Sequence, residues 1–389
     1  MKVAVIIQSI DVRRGGAETS TVQFVHELAR RGCDVHVITT SRVPSSPAMT
    51  VHTLPVQRGT RGSQAAQFMR RAAAEIRQGD FDVVHSMLPV PGCDVYQPRG
   101  GTAAESVQRN LAMIRSPVGR RAKRIGNRLN AKQQAQLRQE KQLFARSPET
   151  MVAAVSQYVV DQLVRHYDLS ESRIRLVYNG VNVDPASDRR RRQDRRGLRK
   201  QFGIGPETLV LLTVAHNFRL KGIAKVIEAV ALLARRHDTP TKLLVVGRDN
   251  PARFERSAQR LGVADRVVFV GPSDRVGAFY HAADLLIHPT YYDPCSRVVL
   301  EALVSGVPAI TTRHNGAAEV IQDGVHGYVI DSADAVDSLA EGIERLMDES
   351  HRAECGRQGR MLQDRLSMAR HADELLTIYE EITQRRTRS

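Results

Sequence analysis

The sequence predicts an α/β protein of two doubly wound, Rossmann-like domains, each a parallel sheet covered by helices on both faces. Three observations carry this expectation. Short apolar runs alternate with longer amphipathic segments along the chain, the pattern of repeated β-loop-α units. The alternation breaks near "IRLVYNGVNVDPASDRRRR" into turn residues and charge, a domain boundary in the making. The chain has 389 residues, 42% of them apolar, which is more than one ordinary core holds.

Taken in order, "KVAVII" reads as a strand, a Gly loop follows, and "AETSTVQFVHELARRG" is a helix ending at Gly32. "DVHVITT", "FDVVHS" and "TMVAAVS" are further strands, the last leading into the helical "QYVVDQLVRHY". A second series begins with the strand "TLVLLTVAH", the helix "GIAKVIEAVALLARRH" and the strand "TKLLVVG". "RFERSAQRLGV" (helix), "RVVFVG" (strand), "RVGAFYHAA" (helix) and "DLLIHPT" (strand) continue it. "SRVVLEALVSG" (helix), "PAITT" (strand) and "GAAEVIQDG" (helix) complete it. The expected division is 1–182, 183–365, and a final helix in 366–389, "HADELLTIYEEITQRR", packing back on the first domain. Two such domains facing each other leave a cleft at the carboxyl ends of both sheets, where open parallel sheets bind ligands. Residues just after each strand are therefore the candidates.

Composition narrows the class. Cys33, Cys93, Cys295 and Cys355 form no CxxC pair, which argues against a zinc ribbon or disulfide framework and fits a reducing cytosol. The apolar run Val3 to Ile7 is too short for a signal peptide, and no stretch approaches the roughly 18 apolar residues of a membrane span. A soluble, cytoplasmic chain is expected, with membrane contact left open.

The formal charge of +15 is unevenly spread: Arg109 to Arg146 holds eleven Lys or Arg and one acid, Glu140, and "RRRRQDRRGLRK" (Arg189 to Lys200) is almost purely basic. Such clusters attract polyanions. Three readings stand: a solvated helix face or linker, an anionic lipid surface, or nucleic acid. Aromatic content of 5% without Trp, and no nucleic-acid-binding signature, count against the last.

Three loops carry chemistry. Gly15 and Gly16 sit where the first strand turns into a helix and would let backbone amides approach an anion; an ordinary tight turn reads the same way. There is no GxGxxG, which counts against a nicotinamide dehydrogenase. In "VAHNFRLKGI", Arg219 and Lys221 precede a helix opened by Gly222. The helix macrodipole disfavours cations there, so an anion between them, most simply a diphosphate, is expected. In "YYDPCSRVVLEALVSG", Asp293 before Pro294 reads as a helix N-cap. Glu301, seven intervening residues on, is a mid-helix carboxylate that needs a donor partner, for which sugar hydroxyls suit. The amides of Ser296, Arg297 and Val298 would face an anion.

Asp293-x7-Glu301 resembles the E-x7-E motif of retaining glycosyltransferases of family 4, which have the GT-B fold. The likeness extends through Gly15-Gly16, "YNGVN" (Tyr178 to Asn182), "RLKG" (Arg219 to Gly222) and "GVPAITTRHNGAAEVIQDGVHGYVI". "CDVYQPRGG" (Cys93 to Gly101) and the Tyr-rich lead into Asp293 are similar to the lipopolysaccharide-core glucosyltransferase branch. The resemblance implies a nucleotide-diphosphate sugar as donor, an envelope glycolipid or polysaccharide as acceptor, and neither cofactor nor metal. It implies ribose binding by Glu301, charge neutralisation by Arg219 and Lys221, phosphate binding by the amides of Ser296 to Val298 and of Gly16, and sugar contact by Asp293. Asp in place of the usual Glu implies an altered contact or a different donor sugar. Glu319 matches a commonly acidic position and also reads as an early-helix carboxylate on the dipole. The acceptor attacks on the leaving-group face, so no protein nucleophile is expected. Residues 109–146 would dock on anionic membrane or acceptor phosphates, placing the protein at the inner face of the membrane.

Elsewhere, Asp80-Phe81-Asp82 mimics a DxD metal site but precedes its strand, at the wrong end for a ligand. His85, at the carboxyl end of that strand, is expected to face the cleft, either assisting the acceptor or packed as a core histidine. Arg99, Gly100 and Gly101 belong to an acceptor-side loop; His216, His288 and His314 have no role beyond cleft lining. Two rival functions share the scaffold, a non-catalytic sugar-nucleotide or polyanion-binding protein and a GT-B sugar-nucleotide epimerase.

Overall fold

In the computed structural model, which describes residues 1–11, 16–114, 116–183 and 186–388, every strand pairing in the two sheets is parallel. Strands so placed are covered on both faces, which is why they read as near-continuous apolar runs. The chain divides into a first unit, Met1–Gly180 with Ser367–Ser389, and a second, Val181–Leu366.

The first unit contains β1 (Lys2–Ile6), α1 (Gly16–Arg30), β2 (Asp34–Thr39), β3 (Thr50–Thr53), α2 (Arg61–Gln78), β4 (Val83–Ser86) and β5 (Val95–Tyr96). It continues with α3 (Ala103–Ala112), α4 (Pro117–Leu129), α5 (Ala131–Arg146), β6 (Met151–Ala154), α6 (Gln157–Tyr167) and β7 (Ile174–Leu176). Its strands run in the order β3-β2-β1-β4-β5-β6-β7. The second unit contains α7 (Asp188–Gln201), β8 (Leu209–Val214), α8 (Ile223–Arg236), β9 (Thr241–Val246), α9 (Ala252–Arg260), β10 (Val267–Gly271) and α10 (Val276–Ala282). Then follow β11 (Leu285–His288), α11 (Arg297–Val304), β12 (Ala309–Thr312), β13 (Gly327–Ile330), α12 (Val336–Arg345) and α13 (Glu349–Arg360). Its strand order, β10-β9-β8-β11-β12-β13, is doubly wound, with the direction of winding reversing between β8 and β11. The last helix, α14 (Met368–Arg388), belongs to the first unit, where Leu375, Ile378 and Tyr379 join Val3, Val5 and Phe24 in one core.

The expected helix "GAAEVIQDG" is a single 3-10 turn, Gly316–Val320. Asn315 caps it by accepting from Ala317 N, and the chain is extended again at Ile321, so no α-helical turn propagates.

The basic clusters have opposite fates. In α7, Arg199 is buried, and its guanidinium donates to Asp284 Oδ2 at 2.6 Å and to the carbonyls of Gly205, Pro206 and Thr208. Arg195 reaches Asp284 Oδ1 at 2.7 Å, and Arg191 donates to Ser305 O at 2.8 Å. Three arginines of this cluster are thus internal ties. The helix α4, by contrast, is almost wholly exposed. Its neighbours α3 and α5 are anchored by two buried carboxylates. Glu105 accepts from Arg109, His166 and Tyr158. Glu140 accepts from Tyr96, Tyr167 and Ala103 N; burial raises its pKa against those three donors.

Asp284→Ala leaves the buried Arg199 without its carboxylate. The expected outcome is a loss of about 3–5 kcal/mol, read as a lower urea midpoint; a loss below about 1 kcal/mol would show the tie to be unimportant.

Candidate functional site

In the second unit, the loop from β8 to α8 is built to approach the end of β11. Asn217 Oδ1 accepts from Leu220 N at 3.0 Å, Lys221 N donates to Asn217 O at 2.9 Å, and Asp249 Oδ2 accepts from Phe218 N at 2.8 Å. Gly222 closes the loop with φ of 71°, and a Cβ there would lie 2.3 Å from Pro289 O. Only glycine allows this crossing.

The crossing delivers Lys221 to Asp293, and the two form a largely buried ion pair. Asp293 is not the helix cap that its Pro neighbour suggests. Its N–H donates to His314 O, its carbonyl accepts from Gly316 N, and its carboxylate is taken by Lys221. The helix α11 starts instead at Arg297, after Ser296. Burial would raise the Asp293 carboxyl, but the Lys221 ammonium and then His288 outweigh it and hold the group well below the usual carboxylate range.

Of the amides expected to face an anion, that of Ser296 is already used: it donates to Asn315 Oδ1 at 3.0 Å. Arg297 and Val298 form the first turn of α11. Glu301 has partners within the protein, Arg297 Nη2 at 3.2 Å and Tyr280 Oη at 3.0 Å. Its place in the helix therefore does not by itself require a ligand, although each oxygen keeps a lone pair for one.

Arg219 and Lys221, two residues apart, have different surroundings. Arg219 is exposed and lines a cavity of about 480 Å³ with His216, Asn217, Asp249, Asn250, Arg253 and Arg256. The cavity lies at the carboxyl ends of β8 and β9. Three guanidiniums surround it, while its one carboxylate already accepts from two backbone N–H groups, of Phe218 and Asn250. Excess positive charge of this kind favours an anionic ligand.

Two residues were given no specific function by the sequence. His288, at the end of β11, is buried, with Nε2 3.3 Å from Ser296 Oγ and 3.7 Å from Asp293 Oδ2. Asn315 links three segments, accepting from Ser296 N and Ala317 N and donating to Thr311 Oγ1 at 2.9 Å. Glu319 is exposed on the 3-10 turn.

The first unit holds the remaining candidates. Gly15 lies outside the described residues; Gly16 begins α1, and an added Cβ there would meet nothing within 4 Å. Of the two readings of His85, the structure has the packed one and not the acceptor-side one: it is fully buried, bonded through Nδ1 to the Tyr379 hydroxyl, and packed edge-on to Phe24. Burial, with the Arg99 cation adding to it, pushes the imidazole down to about 3. It is a neutral core histidine that offers an acceptor no surface. Arg99 lies over the Phe24 ring and donates to Gln97, Ser20 and Thr21. Asp80-Phe81-Asp82 forms the turn before β4, where Asp82 accepts from Lys2 N at 2.6 Å. Among the described residues, no cluster of three or more His, Cys, Asp or Glu is arranged to hold a metal.

Gly222→Ala forces a side chain into the crossing. The expected outcome is destabilisation by more than about 1 kcal/mol, checked by thermal melting; an unchanged midpoint would show that the loop has room to shift.

Residues 194–361 match the family model for glycosyl transferases group 1, and residues 14–185 match that for glycosyltransferase family 4. The chain is 27% identical over 368 residues to lipopolysaccharide glucosyltransferase WaaG of Escherichia coli K12, covering 93% of this chain and 95% of that protein. A crystal structure of WaaG superposes with a TM-score of 0.81 at 26% identity, over 97% of this chain and 99% of the other. The fold also matches Anabaena Alr3699/HepE, solved in complex with UDP-glucose, with a TM-score of 0.72 at 19% identity over 100% of both chains.

Proposed function

The chain belongs to the group 1, family 4 glycosyltransferases and has their GT-B fold, and from that premise we propose that it transfers a sugar from a nucleoside-diphosphate sugar to an envelope glycolipid or polysaccharide with retention of configuration. One observation carries the donor reading: a cation-lined cavity, the Lys221–Asp293 pair and the start of α11 belong to neighbouring loops at the carboxyl end of one parallel sheet. Parallel sheets bind nucleotides at that end. The HepE complex with UDP-glucose supports the ligand class, and the name of the E. coli relative supports an envelope acceptor.

Breaking the bond between sugar and diphosphate builds negative charge on the phosphate oxygens. Arg219, Lys221 and the first amides of α11, those of Arg297 and Val298, would stabilise that charge most as the bond breaks, which is what lowers a barrier. Glu301 would use its remaining lone pairs on the ribose. The acceptor attacks on the face the diphosphate leaves, so configuration is kept without a protein nucleophile. No metal enters this scheme, and EDTA is expected to leave the rate unchanged; a rate restored only by a divalent cation would contradict it.

The α4 helix supports membrane docking at the inner leaflet. Val118, Ala122 and Ile125 share one helical face, and Val118 and Ile125 are 78% and 55% exposed. Arg120, Arg121, Lys123 and Arg124 accompany them. An exposed apolar stripe flanked by cations suits an anionic lipid surface, at about 1 kcal/mol per basic residue near it. Flotation with anionic vesicles should carry the protein up, and Val118→Asp/Ile125→Asp should abolish this. Equal binding to neutral and anionic vesicles would contradict the reading.

Nucleotide release from UDP-, GDP- and ADP-sugars tests the donor. Wild type should turn over one class, and Glu301→Ala should lose about 100-fold in kcat/KM, the worth of two charge-assisted hydrogen bonds. Binding without turnover by the wild type would count against transfer.

A further inference from the structure

We propose that His288 turns the Ser296 hydroxyl into a hydrogen-bond donor aimed at the departing diphosphate. This rests on the reading of the site as one for a nucleoside-diphosphate sugar. Ser296 stands at the N-cap of α11, where a serine side chain ordinarily accepts from the amide three residues on. Ser156 does so at the start of α6, accepting from Val159 N. Ser296 makes no such bond. Its Oγ is held instead by His288 Nε2 at 3.3 Å.

The direction of that bond follows from what surrounds the imidazole. His288 Nδ1 is buried without a hydrogen-bond partner. A proton placed there would be a buried unmet donor, and the bare Nε2 lone pair would then face the Asp293 carboxylate, 3.7 Å away. The proton therefore sits on Nε2. Burial, with Lys221 acting in the same direction, outweighs the opposing pull of the Asp293 carboxylate and holds the ring neutral. With Nε2–H donating, Ser296 Oγ is the acceptor, and its own hydrogen points away from His288. Asp293 is shared: Lys221 holds the side of the carboxylate that His288 Nε2 also faces. Cation, hydroxyl and the first turn of α11 thus form one preorganised set. Ser296 touches the leaving group; His288 is a positioning residue that acts through it.

The experiment is steady-state nucleotide release by the full chain, with the donor that wild type uses, for Ser296→Ala, His288→Leu, His288→Gln and the double variant Ser296→Ala/His288→Leu. Ser296→Ala and His288→Leu are each expected to lower kcat by about tenfold with donor KM changed less than about threefold, because the bond strengthens as charge develops. The double variant should be no slower than the worse single one. His288→Gln, whose amide N–H can replace Nε2–H, should recover most of the rate. Losses that multiply, a change confined to KM, or an unaltered Ser296→Ala would overturn the proposal. If His288→Leu fails to fold by thermal melting, Ser296→Ala, a deletion of one oxygen, decides alone. A wild type that releases nucleotide from no donor would sink the donor reading itself, and this proposal with it.

Discussion

The second unit is organised by one close approach, the β8–α8 loop crossing the end of β11 at Gly222. A backbone carbonyl, Pro289 O, occupies the space where a side chain would begin. That contact sets how near Lys221 comes to Asp293, and hence that an ammonium and a carboxylate meet in a largely buried place. Taking two charges out of water is costly unless both are well paired. The pair is accordingly surrounded by backbone bonds from Asp293 to His314 and Gly316, with His288 beside it. The strand ends, the loop and the start of α11 are tied to one another by these contacts.

Such preorganisation is what the proposed transfer from a nucleotide-linked sugar needs. Charge that develops on a leaving diphosphate is stabilised best by groups that do not have to move. The two cations of the β8–α8 loop have different surroundings. Lys221 is pinned by an ion pair, whereas Arg219 stands in the cation-rich wall of a cavity. In α7 three of the arginines, Arg191, Arg195 and Arg199, serve the scaffold, reaching Asp284 and backbone carbonyls. Positive charge on this chain is therefore not one property. It is internal cement in α7, cavity lining beyond β8 and β9, and solvent-facing on α4.

Much of the fold was legible because its signal is local. Parallel strands buried on both faces must be continuous apolar runs, and the helices between them must be amphipathic; "TLVLLTVAH" and "GIAKVIEAVALLARRH" announce both. The family was legible in spaced motifs, Asp293-x7-Glu301 and "RLKG" among them. What escaped depends on tertiary contact. The two-residue β5 and the edge strand β3, with half-exposed side chains, have no run long enough to read. Asp293 looks like a helix cap until Lys221 claims its carboxylate. His85 looks like a site residue until Tyr379, almost 300 positions away, is found bonded to it. The roles of His288 and Asn315 are not marked locally, since their partners come from separate loops. Buried polar residues at strand ends were the signal available for both, and only geometry separates a positioning residue from a packed one.

Calorimetric titration of UDP, GDP and ADP into the wild-type protein and Lys221→Gln measures the proposed diphosphate grip directly. One nucleotide should bind wild type with a single site per chain, and Lys221→Gln should weaken it by about tenfold or more, the worth of one charge-assisted contact. Equal affinity for both proteins, or no binding of any nucleoside diphosphate, would contradict the assignment of the Lys221–Asp293 pair to the leaving group.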